Sequence, residues 1–144
     1  MRRGAAASIA VFALILSIVG AARAQFFNGR YDIGESDFIP APRLIQPSTN
    51  VVDLRGRDGL EFIWSPHEGD AVRRDYYDFR LYKGGQALGP SRVYATRIPP
   101  RQWSLWIGQE MFDDRTMYTC TIRQVYTGSA KSRRTYWSFT VIKR

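Results

Sequence analysis

The sequence predicts an all-β fold in which two sheets pack face to face, and three observations support that prediction. In residues 60–64, the apolar Leu60, Phe62 and Trp64 occupy every second position, which is the period of a strand with one buried face. Similar stretches recur, separated by turn-forming residues at intervals of roughly 8–15 residues, as in β-sandwiches. After residue 24, no stretch of about ten residues has helical periodicity. The layer that covers Trp64 is therefore expected to be a second sheet.

Seven candidate strands follow one another along the chain. The first is interrupted by Pro47 and the second is ended by Pro66, because proline cannot donate a hydrogen bond to a strand ladder. The seven stretches are residues 44–54, 60–64, 77–82, 93–96, 103–107, 118–122 and 137–141. Residues 86–100 match a strand pattern poorly, so the pairing in that region stays open.

Residues 1–24 have the composition of a secretory signal peptide. Two arginines give a positive start, residues 9–19 form a short apolar run, and Ala22-Arg23-Ala24 is a cleavage site that leaves Gln25 first. The alternative is an uncleaved anchor, although a membrane span needs about 20 apolar residues. We expect an exported protein, periplasmic or extracellular, that meets the membrane only transiently through this segment.

The remaining chain is predicted to be one moderately basic domain with an N-terminal extension. Residues 25–42 have no periodic pattern and contain two glycines and two prolines, which favours an extension or linker. Residues 43–144 are long enough for one hydrophobic core. The full sequence has a net charge of +8, and removal of the three signal-peptide arginines leaves +5. This excess suits an anionic surface or glycan, but a solvated basic surface is the simpler explanation.

The sequence contains no set of residues that predicts catalysis, a metal site or a cofactor. His67 is the only histidine, so no histidine pair can bind zinc, and Glu68 and Asp70 beside it fit a solvated loop. A phosphate-binding glycine loop and a Gly-x-Ser-x-Gly motif are both absent from the sequence. Export and modest charge argue against a nucleic-acid partner. Cys120 has no second cysteine to pair with and is predicted to be a small buried hydrophobe.

Four motifs support a more specific assignment of the fold. In chain order they are Leu60-x-Phe62-x-Trp64-x-Pro66, Tyr77-x-Phe79-x-Leu81, Phe112-x-x-x-Thr116-x-Tyr118-x-Cys120-x-Ile122 and Trp137-Ser138-Phe139-Thr140-Val141. Their order and spacing over residues 43–144 resemble the fibronectin type III domain in a divergent bacterial form. The chain departs from that pattern at Asp113-Asp114, where many members have proline or glycine. The resemblance implies an immunoglobulin-like sandwich of about seven strands.

The resemblance also implies roles for two aromatic residues. Trp64 is expected to be buried between the sheets, and Tyr118 to hydrogen-bond through its hydroxyl to backbone a few residues upstream. A core aromatic with a solvated hydroxyl is the alternative for Tyr118. The residues expected around Trp64 are Tyr77, Phe79, Tyr118, Cys120 and Phe139. The Arg-Gly-Asp tripeptide of some family members is absent, since residues 57–59 read Arg-Asp-Gly, so its cell-binding activity is not expected.

Two functions remain open for such a domain. The first is a non-enzymatic binding or adhesion module that contacts protein or glycan. The second is a structural accessory subunit of a bacterial cell-envelope assembly, docked through a sheet edge or the N-terminal arm. In both cases the expected partner is a protein or a polysaccharide of the cell envelope.

Alternation predicts where such a partner binds, because the inward residues of a strand fix the outward ones. In the resembled fold, the strands at residues 77–81, 118–122 and 137–141 share one sheet, and arginine with tyrosine is favoured at recognition surfaces. The predicted binding face consists of Arg80, Tyr82, Thr121, Arg123 and Ser138. Two adjoining loops are predicted to add Arg73, Arg74, Lys131, Arg133 and Arg134. An ordinary polar outer face is the alternative.

Overall fold

The structure is a computed structural model that describes residues 35–36, 39–66 and 74–144. Within these ranges it contains ten strands. They are β1 (Glu35–Ser36), β2 (Arg43–Gln46), β3 (Val51–Asp53), β4 (Gly59–Ser65), β5 (Arg74–Lys83), β6 (Arg92–Ile98), β7 (Ser104–Gly108), β8 (Thr116–Tyr126), β9 (Lys131–Ser132) and β10 (Thr135–Ile142). Two short 3₁₀ helices span Gly89–Ser91 and Gln109–Met111. The predicted signal peptide, most of the predicted extension, and residues 67–73 with His67 and Arg73 lie outside the described residues.

The strands form two sheets. In the larger sheet β6, β5, β8, β10 and β3 are neighbours in that order, and β9 and β1 continue it beside the end of β8. The smaller sheet has the order β2, β4, β7. The neighbours are antiparallel, apart from the parallel pairs β10–β3 and β1–β9. Seven of the described strands have four or more residues, which confirms the predicted all-β, immunoglobulin-like sandwich.

The predicted first strand divides at Pro47 into two short strands that belong to different sheets. β2 pairs with β4 in the smaller sheet, whereas β3 runs parallel to β10 in the larger one. The Gln46–Pro47 peptide bond is cis. Because Pro47 has no N–H to donate, the first ladder ends there and the chain changes sheets.

The structure also settles the pairing that the sequence left open between residues 86 and 100. β6 lies antiparallel to β5, with Tyr77 opposite Ile98 and Phe79 opposite Thr96. β6 is therefore an edge strand of the larger sheet and is longer than the predicted residues 93–96.

The core lies between the two sheets and contains the predicted inward residues except Trp103, which the alternation of residues 103–107 grouped with Leu105 and Ile107 but which precedes β7 and is 53% exposed. Trp64 is only 1% exposed, and its ring meets that of Tyr77 edge-on at 5.4 Å between centroids. Phe62 contacts Phe79 in the same way at 5.0 Å. Cys120 is buried, and burial raises the pKa of its thiol to about 12, so the prediction of an inert apolar residue is confirmed.

The corner before β8 explains both the tyrosine and the two aspartates. The Asp113 N–H donates a hydrogen bond of 2.7 Å to the Tyr118 hydroxyl, which confirms the predicted tyrosine corner. The ring of Phe112 packs edge-on against Tyr118 at 5.2 Å. Asp114 Oδ1 accepts the Lys143 N–H at 2.7 Å, and this bond lowers the pKa of Asp114. The Asp114 carboxylate therefore holds the backbone at Lys143, and proline or glycine at this position has no side-chain acceptor that could do so.

Candidate functional site

The strands that carry the predicted binding face do share the larger sheet, and their register brings the face together. Arg80 lies opposite Thr121, and Tyr82 lies opposite Thr119, which in turn lies opposite Ser138. The Thr119 and Ser138 hydroxyls are 2.9 Å apart and hydrogen-bonded. The predicted neighbours are thus adjacent on the outer side of β5, β8 and β10.

A single carboxylate organises the charged residues of that face. Asp78 Oδ2 lies 3.0 Å from a guanidinium nitrogen of Arg80, 3.0 Å from one of Arg123 and 2.5 Å from one of Arg134. Arg134 arrives from the segment between β9 and β10, and it also donates to the Thr121 hydroxyl at 3.3 Å. We call Asp78, Arg80, Arg123 and Arg134 the Asp78 cluster.

The Asp78 cluster is mostly buried, which the alternation pattern does not predict. The side chains of Arg123 and Arg134 are 5% and 6% exposed, and Tyr82 and Thr121 are also buried. Burial by itself raises the pKa of Asp78, but the charges of Arg134 and Arg80 and their hydrogen bonds outweigh it and lower the pKa below its usual value. Of the predicted face, Arg80 and Ser138 keep exposed surface. The binding role of this face stays a prediction.

The residues predicted for the adjoining loops are placed unequally. Arg74 is buried, with its guanidinium 5.1 Å from the centre of the Tyr77 ring and a hydrogen bond of 3.3 Å to the Pro100 carbonyl. Lys131 is half-buried in β9, and Arg133 is exposed. The backbone of Arg74 pairs with Tyr126, so the ends of the two predicted loops do meet at one end of the sheet. Arg73 lies outside the described residues.

Sequence reasoning missed a second surface, which lies on the smaller sheet. Trp103 and Trp106 are 53% and 56% exposed, and Trp106 stands opposite Glu61 on the outer face of β4 and β7. Two atoms of the Trp106 indole, Cε2 and Cζ2, lie 2.9 Å from the point that a Cβ on Gly59 would occupy. The absence of a side chain at Gly59 therefore lets the indole pack on the backbone of β4. The alternation of Leu105 and Ile107 with Trp106 was the signal for this outward position.

Three acidic residues lie at the end of the smaller sheet that carries this indole. Glu61 is the cross-strand neighbour of Trp106, and the carboxylate of Glu110 occupies the space above Gly108, which pairs with Gly59. The Asp58 carbonyl accepts the Gln109 N–H at 2.8 Å, which places Asp58 at the same end of the sheet. We call Trp106, Glu61, Glu110 and Asp58 the Trp106 surface.

Over the ranges that the structure describes, no three His, Cys, Asp or Glu side chains converge closely enough to hold a metal ion. In the same residues, none of the helices has the length and apolar character required to cross a membrane.

Comparison with known proteins identifies the fold through structure alone. No protein-family model matches the chain, and no curated protein matches it in sequence. The fn3 domain of the human collagen alpha-1(XX) chain is similar, with a TM-score of 0.53 and 17% identity, over 81% of this chain and 94% of that one. An α-L-rhamnosidase from Dictyoglumus thermophilum gives a TM-score of 0.54 and 14% identity, over 74% of this chain and 13% of the enzyme.

A third similar structure is that of the chicken CNTN1 FN1–FN3 domains, with a TM-score of 0.52 and 9% identity, over 73% of this chain and 31% of that one. The present chain thus corresponds to a minor part of the rhamnosidase and of the chicken protein. Identities this low establish the fold and nothing of the ligand. The chain has a fibronectin type III-like fold, in agreement with the four motifs of its sequence.

Proposed function

We propose that the chain is an exported, non-enzymatic binding or adhesion module that acts in the cell envelope through protein or glycan contacts. Domains with this fold often serve as binding modules. The observation that carries the proposal is the exposure of Trp106 on β7 and of Trp103, which directly precedes that strand, by 56% and 53%. Export rests on the signal-like residues 1–24, and the proposed partner is an envelope protein or polysaccharide rather than a nucleic acid.

Exposed tryptophan is costly unless a partner covers it. Leaving a large apolar side chain in water forgoes about 1.5–3 kcal/mol of burial free energy. Tryptophan and tyrosine are enriched at the centres of binding interfaces, where they supply most of the affinity. Trp64 on the neighbouring strand is buried in the core, so the sheet has an inward aromatic for stability and an outward one for contact.

The proposal is tested by capturing components of the native envelope with the chain purified after export. We expect retention of a polysaccharide or a protein, and loss of that retention in the double variant Trp103→Ala, Trp106→Ala. Leu88→Ala is the matched control, since Leu88 is equally exposed but lies outside the smaller sheet. Retention that is equal in both variants, or absent from the wild type, would contradict the proposal.

A structural accessory subunit is the second candidate, and the free sheet edges favour it. Within the described residues, β6 pairs with β5 alone and β7 pairs with β4 alone, so each offers main-chain hydrogen bonds to another strand. Size-exclusion chromatography with light scattering separates the two candidates. A tight complex of fixed stoichiometry with one envelope protein favours the subunit, and retention on polysaccharide favours the module.

A further inference from the structure

The Trp106 indole is held as a platform with one face toward solvent. Gly59 and Gly108 are cross-strand partners, and the indole packs over Gly59. Directly opposed residues have Cβ atoms about 4.5–5.5 Å apart, so Glu61 lies within reach of a group that rests on the ring. The ring thus rests on the backbone of β4 at Gly59, and more than half of Trp106 is exposed. A ligand that stacks on it therefore meets a preformed surface.

The charges around this platform favour a cationic ligand. Within the described residues, the carboxylates of Asp53, Asp78, Asp113 and Asp114 are engaged by arginine, lysine or backbone N–H groups. The same ranges show no hydrogen bond or ion pair for the side chains of Asp58, Glu61 and Glu110. In a chain with a net charge of +8, Glu61 and Glu110 thus place two negative charges on the outer face that carries Trp106.

Two basic residues, Lys143 and Arg57, lie near these acidic residues in the structure or in the sequence. Lys143 Nζ donates to the Gln109 and Phe112 carbonyls at 2.8 and 2.7 Å. The charge of Arg57 acts on Asp53 and contributes to the lowering of its pKa, after the larger effect of Arg55. Neither residue is ion-paired with Glu61 or Glu110 in the described structure.

The edge of β7 favours an extended polypeptide as the carrier of that cation. The Trp64 N–H donates to the Trp103 carbonyl at 3.1 Å, which places the hydrogen-bonded pairs of this ladder at the inward positions. By the same alternation, the main-chain groups of Ser104 and Trp106 point to the edge of the sheet, where the Ser104 carbonyl accepts a hydrogen bond of 2.8 Å from the Gln102 side chain that a partner strand would replace. A partner strand that adds there places every second side chain over the outer face, beside Trp106.

We propose that the Trp106 surface binds a lysine or arginine side chain of an extended partner polypeptide that adds to β7. The cation rests on the exposed indole face and is flanked by Glu61 and Glu110. This inference rests on the proposed binding function and names the class of partner. A neutral glycan also stacks on tryptophan and can donate hydroxyl hydrogen bonds to the carboxylates, but it carries no positive charge for them to neutralise and no main chain that pairs with the edge of β7.

The test is a titration of the isotope-labelled exported chain, followed through the indole N–H signals of its four tryptophans. The probe is the capped peptide Thr-Lys-Thr-Lys-Thr, and the comparison peptide has glutamine in place of lysine. We expect a saturable shift of the Trp106 signal with the lysine peptide, at least threefold weaker binding of the glutamine peptide, and no shift at buried Trp64. Equal shifts with both peptides would overturn the role of the cation.

Two conservative variants complete the test. Glu61→Gln and Trp106→Leu should each weaken binding of the lysine peptide about two- to fivefold. This is the size of effect expected when an exposed ion pair or cation–π contact is lost. Asp75→Asn is the control, because it removes the same charge from an exposed position on the other sheet and should leave the affinity unchanged. If Asp75→Asn weakens peptide binding as much as Glu61→Gln does, the attraction depends on the charge of the whole chain and the proposed site is wrong. Envelope capture that is unaffected by Trp106→Leu would remove this site and leave the proposed function standing.

Discussion

The outer faces of the two sheets use charged residues in opposite ways. On the larger sheet, Asp78 is surrounded by three guanidinium groups, and two of its arginines are almost completely buried. On the smaller sheet, Glu61 and Glu110 stand beside an exposed indole without ion pairs in the described structure. The comparison shows that an outward position on a strand does not by itself indicate a binding residue. What separates the two faces is whether another segment of the chain covers them.

The largest expected effect is a difference in stability between alanine variants of two tryptophans that lie on opposite faces of the smaller sheet. Trp64→Ala should lower the free energy of unfolding by about 3–5 kcal/mol, because it removes buried apolar area and leaves a cavity. Trp106→Ala should lower it by less than about 1 kcal/mol, since more than half of that side chain is already in water. Urea denaturation measures both. Equal losses would show that Trp106 is a core residue rather than a contact residue.

The second prediction concerns the Asp78 cluster. Asp78→Asn should lower the free energy of unfolding by about 3 kcal/mol, because it leaves two buried guanidinium groups without their carboxylate. Since the pKa of Asp78 is lowered in the folded state, this contribution is present above the pKa of the unfolded chain, about 3.9. It is lost as the pH falls through the folded pKa. The difference between wild type and variant should therefore shrink below about pH 4.

The control for that prediction is the exposed pair of Asp53 and Arg55, whose closest atoms are 2.5 Å apart. Asp53→Asn should leave the denaturation midpoint unchanged within the scatter of the measurement, because solvent screens an exposed ion pair. A neutral result for both variants would mean that the Asp78 cluster is a surface feature. The outer face of the larger sheet would then again be a candidate binding site.

The third prediction tests the packing of the Trp106 indole on Gly59. Gly59→Ala should destabilise the chain by about 1–3 kcal/mol, since the new methyl group would overlap the Ile107 carbonyl oxygen and the Trp106 ring. Gly89→Ala is the matched control, because a Cβ at Gly89 meets no atom within 4 Å. Thermal unfolding compares the two. A stable Gly59→Ala variant with an unchanged Trp106 indole signal would contradict the described packing.

The smallest effect is expected at the tyrosine corner, which lies apart from both outer faces. Tyr118→Phe removes the acceptor of the Asp113 N–H and should cost about 1 kcal/mol, the usual worth of one hydrogen bond. The ring and its contact with Phe112 remain, so the fold should be intact by circular dichroism. A loss as large as that of Trp64→Ala would indicate that the corner organises the whole core.

Local pattern was sufficient for the inward half of the fold. Alternation at residues 60–64 and 118–122 placed Trp64 and Cys120 in the core, and the resemblance carried by Phe112 and Tyr118 implied the corner hydrogen bond. These features depend on neighbours in one strand or one turn. Period and spacing therefore specify them directly.

The outward half depends on contacts that no local pattern contains. Arg134 is more than 50 residues from Asp78 in the chain, and only the folded register brings its guanidinium over Thr121. Trp106 likewise packs on Gly59, which belongs to another strand. Alternation gave the correct side of the sheet for Trp106, whereas Arg134 was predicted only as part of an adjoining loop. Alternation could not show that the first face is covered and that the second is open.

The most direct test of the contrast between the two faces is the retention of one envelope component by two variants. Arg80→Gln alters the residue of the Asp78 cluster that keeps the most exposed side chain, and Trp106→Leu alters the open face. The component is the one that wild type captures most strongly, quantified at equal amounts of folded protein. We expect Trp106→Leu to lose most of the retention and Arg80→Gln to keep it. Loss of retention in Arg80→Gln, together with full retention in Trp106→Leu, would contradict this prediction and would place the binding site on the larger sheet.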